Sequence, residues 1–391
     1  MFGRRLQQLR LARNLSLEAL AAEMGGIVTK QALSKYELSK INPSPVVLEK
    51  MAKVLGVKSA YFFVEPSVRV EFIAYRKNAS LLAKDKKVLQ SRIEQALENR
   101  IKIFELLGHT KEANIPIDKI PVNGIEDAET GAEQIRKLWN LGYGPICNMT
   151  QTLEENSISV IDIDAHEDFD GISARVYDSE NKIRTIAVVT RNEIAGERQR
   201  LNLSHELGHL VLEVGDGVDE EKAAFRFGAA LLAPADKIYE DVGRKRAFIQ
   251  LQELFILKKQ YGLSIQAMVH RLHDLDIISE SEYANWFARI TKLGWKKKEP
   301  EEMPFEESNW LKRNVLRFIS EGRIDQLEAE AILGKKIELE QPASIIERRA
   351  FLKLPLEKRK QILAEQAAKM TKHYEQDSDW KDLEGGEIID Y

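Results

Sequence analysis

The sequence predicts a mainly α-helical protein with an α+β core. Apolar residues recur at helical spacing in the first 66 residues and again from residue 198 through most of the C-terminal half. Two stretches between them, 157–163 and 183–190, alternate or run apolar as the strands of a small sheet do. A chain of 391 residues is long for one hydrophobic core, so two to four domains are expected.

The composition is that of a folded protein that stays in the cytoplasm. Hydrophobic residues make up 43% of the chain and charged residues 31%, as in globular domains. The N-terminus lacks the apolar core of a signal peptide, and no apolar run is long enough to span a bilayer, so no membrane partner is expected. The one cysteine, Cys147, agrees with a reducing compartment and is expected to be a small buried residue.

Charge is distributed unevenly along the chain. Ten basic and four acidic side chains precede residue 60, whereas seven acidic side chains and only Lys381 follow residue 373. The two ends are therefore predicted to meet different partners.

Residues 1–66 are predicted to form four short helices. Ser16 caps the second, Thr29 caps the third, Pro45 lies at the start of the fourth, and Gly56 ends it. This segment resembles an XRE-type helix-turn-helix, the DNA-binding module of phage repressors.

The resemblance implies that the third helix enters the major groove of operator DNA with its N-terminal residues on base edges. Gln pairs bidentately with adenine, and Lys reaches guanine or phosphate. The candidate DNA contacts are Lys30, Gln31, Ser34 and Lys35. A small bundle with a solvated basic face is the alternative. Symmetric operators favour a homodimer.

Residues 67–130 are predicted to be a helical connector. The apolar spacing from 68 to 108 is helical with many charges between, and Pro116, Pro121 and Gly124 mark a loop before the next domain.

The stretch 198–212 is predicted to be a helix with two histidines on one face. His205 and His209 are four positions apart, so both imidazoles leave the same face and can share one metal ion. Glu206 is turned away from direct ligation, which suits a base acting on metal-bound water. Gly208 costs roughly 1 kcal/mol relative to alanine, which indicates that another backbone passes close by. This is the HExxH pattern of zinc peptidases, although five residues also match by chance.

A third metal ligand is expected from the acidic run 219–222, because catalytic zinc takes three protein ligands and leaves one position for water. The helix predicted over 223–233 has small residues that allow close packing on the first helix, and Pro234 ends it. Glu221 shares a face with those small residues and is the predicted ligand. Alternatively, Glu220 and Glu221 are ordinary acids in a first helical turn.

Residues 198–209 followed by 221–234 resemble the ImmA/IrrE family of bacterial regulatory metallopeptidases. Stretches upstream, including 138–146 and 169–173, also resemble that family's domain, so the likeness spans roughly residues 130–300. It implies a zincin-like peptidase that cuts a transcriptional repressor. The implied Zn²⁺ ligands are His205, His209 and Glu221, and the implied catalytic base is Glu206.

The C-terminal part is predicted to be helical, with a unit at 301–341 and an amphipathic stretch after Pro342. Aromatic and aliphatic anchors among acids suit a segment that folds onto a basic partner. Residues 342–391 resemble the C-terminal regions of type II antitoxins, which implies a toxin partner, often an endoribonuclease of the MazF/PemK or PIN kind. The alternative is a solubilising tail. The predicted toxin contacts are Tyr374, Trp380, Ile388, Ile389 and Tyr391.

Together these patterns predict a DNA-binding zinc endopeptidase that regulates transcription by cleaving a repressor or antitoxin, in a bacterial stress or toxin-antitoxin system. The alternative is an antitoxin and autorepressor that neutralises a toxin through its tail without proteolysis. The predicted domains are 1–66 for DNA binding, 67–130 for the connector, 131–300 for the peptidase, 301–341 for a helical unit and 342–391 for the tail.

Overall fold

The structure, a computed structural model, describes residues 2–64, 68–73, 83–108, 114–116, 118–178, 180–339 and 351–376. Helices predominate, and they surround a four-stranded and a two-stranded sheet, which confirms the predicted fold class. The chain forms two compact units, residues 1–335 and 336–391.

The N-terminal helices begin where their capping residues predict. Ser16 accepts a hydrogen bond from the Ala19 amide at 3.0 Å, and Thr29 accepts one from the Ala32 amide at 3.2 Å. Both predicted caps are confirmed. The elements are α1 Phe2–Ala12, α2 Leu17–Glu23, α3 Lys30–Glu37, α4 Pro45–Val54 and a 3-10 turn at Ser59–Phe63.

The larger sheet has four strands, β1 Arg69–Ile73, β3 Ile158–Ile163, β4 Gly171–Tyr177 and β5 Ile183–Arg191. Their order across the sheet is β1-β4-β5-β3. β3 is parallel to β5, whereas β4 is antiparallel to both β5 and β1. β1 lies where the sequence indicated helix, because its alternation is only five residues long. A second sheet pairs β2 Ile120–Val122 in parallel with β6 Leu212–Val214.

The larger sheet is covered on both faces. Ala187 and Val189 of β5 pack with the buried side of helix α5, Ala83–Leu107, while Ile186 and Val188 pack in the main core with helix α8, Gly196–Val211. A strand covered on both faces is apolar throughout, which explains the continuous apolar run of β5.

The N-terminal helices dock on α5 through a buried ion pair. Arg5 Nη1 lies 2.6 Å from Glu98 Oε2, and the Tyr61 hydroxyl donates to the same carboxylate at 3.1 Å. Because α5 also packs on the sheet, it connects the N-terminal bundle to the rest of the first unit.

The remaining helices of the first unit are α6 Asp127–Leu138, α7 Met149–Glu155, α9 Glu220–Leu232, α10 Ala235–Val242, α11 Leu251–Tyr261, α12 Ile265–Asp274, α13 Glu280–Lys292, α14 Trp310–Ser320 and α15 Gln326–Leu333. In the second unit, α16 spans Leu356–Gln376. None of the described helices has the length and apolar character that crossing a bilayer requires. Cys147 is exposed, contrary to expectation, because it lies in the loop before α7.

Candidate metal centre

The HExxH residues lie on the buried side of α8. His205, Glu206 and His209 are 2%, 4% and 3% exposed. α8 is one uninterrupted helix from Gly196 to Val211, as its spacing predicts, and it packs against β4 and β5. The helix therefore holds both imidazoles in one direction inside the protein.

Two glycines let α9 approach α8 closely. A Cβ on Gly208 would lie 3.2 Å from the Ala224 Cα, and one on Gly228 would lie 3.0 Å from the His205 amide nitrogen. The close backbone predicted from Gly208 is that of α9. Asp219 caps α9 by accepting from the amide of Glu221 at 3.1 Å. The first turn of α9 thus places its acids beside the histidines.

Three side chains converge in a geometry that fits a metal ion. His205 Nε2 and His209 Nε2 are 3.0 Å apart, Glu221 Oε2 lies 3.6 Å from the first, and Glu221 Oε1 lies 3.5 Å from the second. Ligands bound about 2.0–2.2 Å from a tetrahedral zinc ion lie about 3.3–3.6 Å apart. Imidazole nitrogens with one carboxylate are also a donor set that suits zinc. These three side chains, called the triad below, could therefore hold a metal ion.

Glu206 contacts the sheet through Ser173. The Ser173 hydroxyl on β4 donates to Glu206 Oε2 and to the Glu206 carbonyl oxygen, and each acceptor is 2.8 Å away. A Cβ on Gly171 would come within 3.2 Å of Glu206 Cγ, so a glycine leaves room for this side chain. Ser173 and Gly171 of β4 therefore fix the position of the carboxylate of the residue next to His205.

His209 is oriented from its other side by Glu220. His209 Nδ1 lies 3.1 Å from Glu220 Oε1, so this carboxylate can accept a hydrogen bond from Nδ1–H. The Nε2 atom of the same ring faces His205 and Glu221. Metal-bound histidines commonly have such a partner, which fixes the ring and its tautomer. Lys119 also donates to the His209 carbonyl at 3.2 Å.

Phe225 forms one wall of the site. Its ring centroid lies 4.1 Å from that of His205, and the side chain is 45% exposed. The exposed aromatic surface beside a candidate metal ligand gives the site an apolar contact for a bound molecule.

The predicted DNA contacts lie on α3 between Lys30 and Lys35. Lys30, Gln31 and Lys35 are exposed and Ser34 is half-buried, while Lys30 also pairs with Glu18 of α2. Among the predicted toxin contacts, Tyr374 falls within α16. The other four, Trp380, Ile388, Ile389 and Tyr391, lie outside the described residues.

Other polar residues singled out in the sequence have structural partners. Arg198 pairs with Asp170, and buried Arg200 pairs with Glu306. His270 hydrogen-bonds Tyr283 at 2.9 Å, and His273 pairs with Glu280 at 2.9 Å. Within the described ranges, no group of three potential ligands other than the triad surrounds a metal position.

The sequence interpretation missed the roles of Ser173 and Glu220. Ser173 ends the stretch 169–173 that carries part of the ImmA/IrrE likeness, but only its place in β4 brings it to Glu206. Glu220 was weighed only as a helix-terminal acid, because contact with His209 depends on how α9 crosses α8.

Comparisons with known families match two parts of the chain. Residues 6–62 match the family described as Helix-turn-helix, and residues 166–273 match the family described as IrrE N-terminal-like domain. The second match contains the triad and Glu206.

Curated relatives match only the N-terminal part. The HTH-type transcriptional regulator PuuR of Escherichia coli (strain K12) is 39% identical over 64 residues, which are 16% of this chain and 34% of PuuR. The SPbeta prophage-derived uncharacterized HTH-type transcriptional regulator YonR of Bacillus subtilis (strain 168) is 34% identical over 61 residues, which are 16% of this chain and 55% of YonR. This chain therefore spans about a third of one relative and about half of the other. It joins a segment similar to helix-turn-helix domains to a segment similar to IrrE N-terminal domains, as two of the three sequence resemblances predicted.

Proposed function

We propose that this protein is a zinc-dependent endopeptidase, with His205, His209 and Glu221 as metal ligands and Glu206 as the general base. The observation that carries the proposal is the convergence of two buried imidazoles and one carboxylate beside a second, separately held carboxylate. Three protein ligands leave one position for water, as catalytic zinc sites do. The match to the IrrE N-terminal-like domain supports the same reaction class.

Zinc bound by the triad would polarise a substrate carbonyl and lower the pKa of a coordinated water. Glu206 then removes a proton from the attacking water and delivers it to the leaving amine, which balances the hydrolysis of a peptide bond. Ser173 keeps the carboxylate in position, and Glu220 keeps the His209 ring in the tautomer that presents Nε2.

Metal removal tests this proposal. The full chain should bind about one zinc ion, as catalytic zinc sites do, and cleave unfolded casein. Dipicolinate should abolish cleavage, and added zinc should restore it. His209→Ala should lose both zinc and cleavage, whereas His273→Ala should keep both because His273 lies away from the triad. Cleavage that persists without bound metal would contradict the proposal.

A second proposed activity is sequence-specific DNA binding by residues 1–66, through Lys30, Gln31, Ser34 and Lys35. It is favoured by the exposed side chains of Lys30, Gln31 and Lys35 on α3 and by relatives that are HTH-type transcriptional regulators. The first unit holds both proposed activities, so DNA would bring the peptidase to a regulated promoter.

The DNA fragment upstream of the protein's own gene is a suitable probe. Gln31→Ala should weaken specific binding by about 1–3 kcal/mol, because a bidentate base contact is lost. Gln7→Ala, another exposed glutamine of the same domain, should bind as the unaltered protein does. Equal loss for specific and random DNA would assign Gln31 to the phosphate backbone instead.

The substrate of the peptidase is proposed to be a repressor or an antitoxin, cleaved to change transcription. Homodimer formation, cytoplasmic location and toxin binding by residues 342–391 remain predictions from the sequence.

A further inference from the structure

β1 covers the edge of β4 that runs beside the candidate catalytic base. Ile73 lies opposite Ser173, and Arg69 lies opposite Tyr177. Ser173 is the residue whose hydroxyl contacts Glu206. Without β1, this edge of β4 would be open, and an extended peptide could pair with it by main-chain hydrogen bonds.

The side chains of β1 alternate between the two faces of the sheet. Val70 and Phe72 pack on the α5 side, with the buried cluster that includes Ala174. Glu71 and Ile73 are opposite Arg175 and Ser173, so they share the face on which Ser173 contacts Glu206. The Tyr177 hydroxyl donates to Glu71 at 2.6 Å. β1 therefore presents a carboxylate and, two residues later, an apolar side chain on the side of the metal centre.

β1 is less firmly held than the strands beside it. Each of its five residues is exposed or half-buried, whereas the inner strand β5 has a continuous run of buried residues. β1 also pairs with only one neighbour, because it ends the sheet. Its departure from β4 would therefore expose less buried surface than the departure of an inner strand such as β5.

We propose that the β4 edge is the substrate-binding strand and that β1 occupies it as an internal competitor. This inference rests on the proposed peptidase function. Its preferred substrate is an extended segment with a carboxylate two residues before an apolar side chain, as Glu71 precedes Ile73. Substrate binds only when β1 leaves β4, so paired β1 keeps the resting protein from binding substrate. We call this paired state of β1 the latch.

Loosening β1 tests the latch. Phe72→Ala removes an apolar anchor of β1 and should speed casein cleavage by about tenfold, because apparent affinity scales with the fraction of open molecules. Phe104→Ala is the matched control, since Phe104 packs on the same buried cluster from α5 without belonging to β1. Cleavage by Phe72→Ala at the unaltered rate would overturn the latch and leave the peptidase proposal intact.

A disulfide lock supplies the opposite perturbation, and it decides the question where Phe72→Ala does not fold. Glu71→Cys with Arg175→Cys joins directly opposed positions of β1 and β4 in a Cys147→Ser background. Oxidation should suppress cleavage about tenfold relative to the same protein reduced with a phosphine, again through the open fraction. Equal rates in both redox states would refute the latch.

Peptide binding separates failure of the latch from failure of the peptidase. If no variant cleaves casein, binding of a labelled peptide with the sequence of residues 68–73 still measures whether the edge of β4 is open. This peptide should bind the reduced double-cysteine variant and should not bind the oxidised one. A second peptide that carries Glu71→Lys should bind the reduced variant more weakly. Equal binding in both redox states, or equal binding of the two peptides, would overturn the proposed edge or its preference.

Discussion

Glu206→Gln is expected to leave zinc bound and to reduce casein cleavage by about 10²- to 10⁴-fold, the range that general acid–base groups contribute. An amide has the size of the carboxylate and can still accept from Ser173, but it cannot take a proton from water. Zinc content by mass spectrometry of the native protein, with casein turnover on the same sample, measures both effects.

Glu193→Gln is a suitable control for Glu206→Gln, because this acid is exposed in the bend before α8 and outside the triad. It should retain zinc and turnover. Undiminished turnover by Glu206→Gln would reject Glu206 as the base, and loss of zinc from that variant would place Glu206 among the ligands.

Lys258→Met is expected to lower the free energy of unfolding by about 3–5 kcal/mol, because it leaves buried carboxylates without their cation. Lys258 is fully buried, and its Nζ lies 2.6 Å from Glu197 and 3.0 Å from Glu299. Glu197 belongs to α8, and Glu299 accepts from the amide of Ile265 at the start of α12. The lysine therefore links α8, through Glu197, to Glu299 and the start of α12.

Lys259→Met provides the comparison from the adjacent residue. Its ion pair with Glu301 is exposed, with side chains 66% and 50% accessible, so its loss should cost about 0–1 kcal/mol. Urea unfolding at neutral pH measures both variants. Equal destabilisation by the two substitutions would show that burial of the charge is not the cause.

The helices and the histidine pair were predictable because they depend on neighbours in the chain. Ser16 and Thr29 cap helices by bonds to amides three residues on, and His205 and His209 share a face through helical spacing alone. Strand β1 was not predictable in this way, because five alternating residues specify a strand only when β4 lies beside them.

The sequence by itself determined the mainly helical fold class, the HExxH pair and the acidic turn that could complete it, since each is a pattern within one short segment. Only the tertiary structure decided that α9 crosses α8 at Gly208, that Glu220 meets His209, and that β1 lies along β4. These contacts join residues from separate segments, and their geometry depends on packing and on hydrogen bonds between strands, which local patterns do not encode.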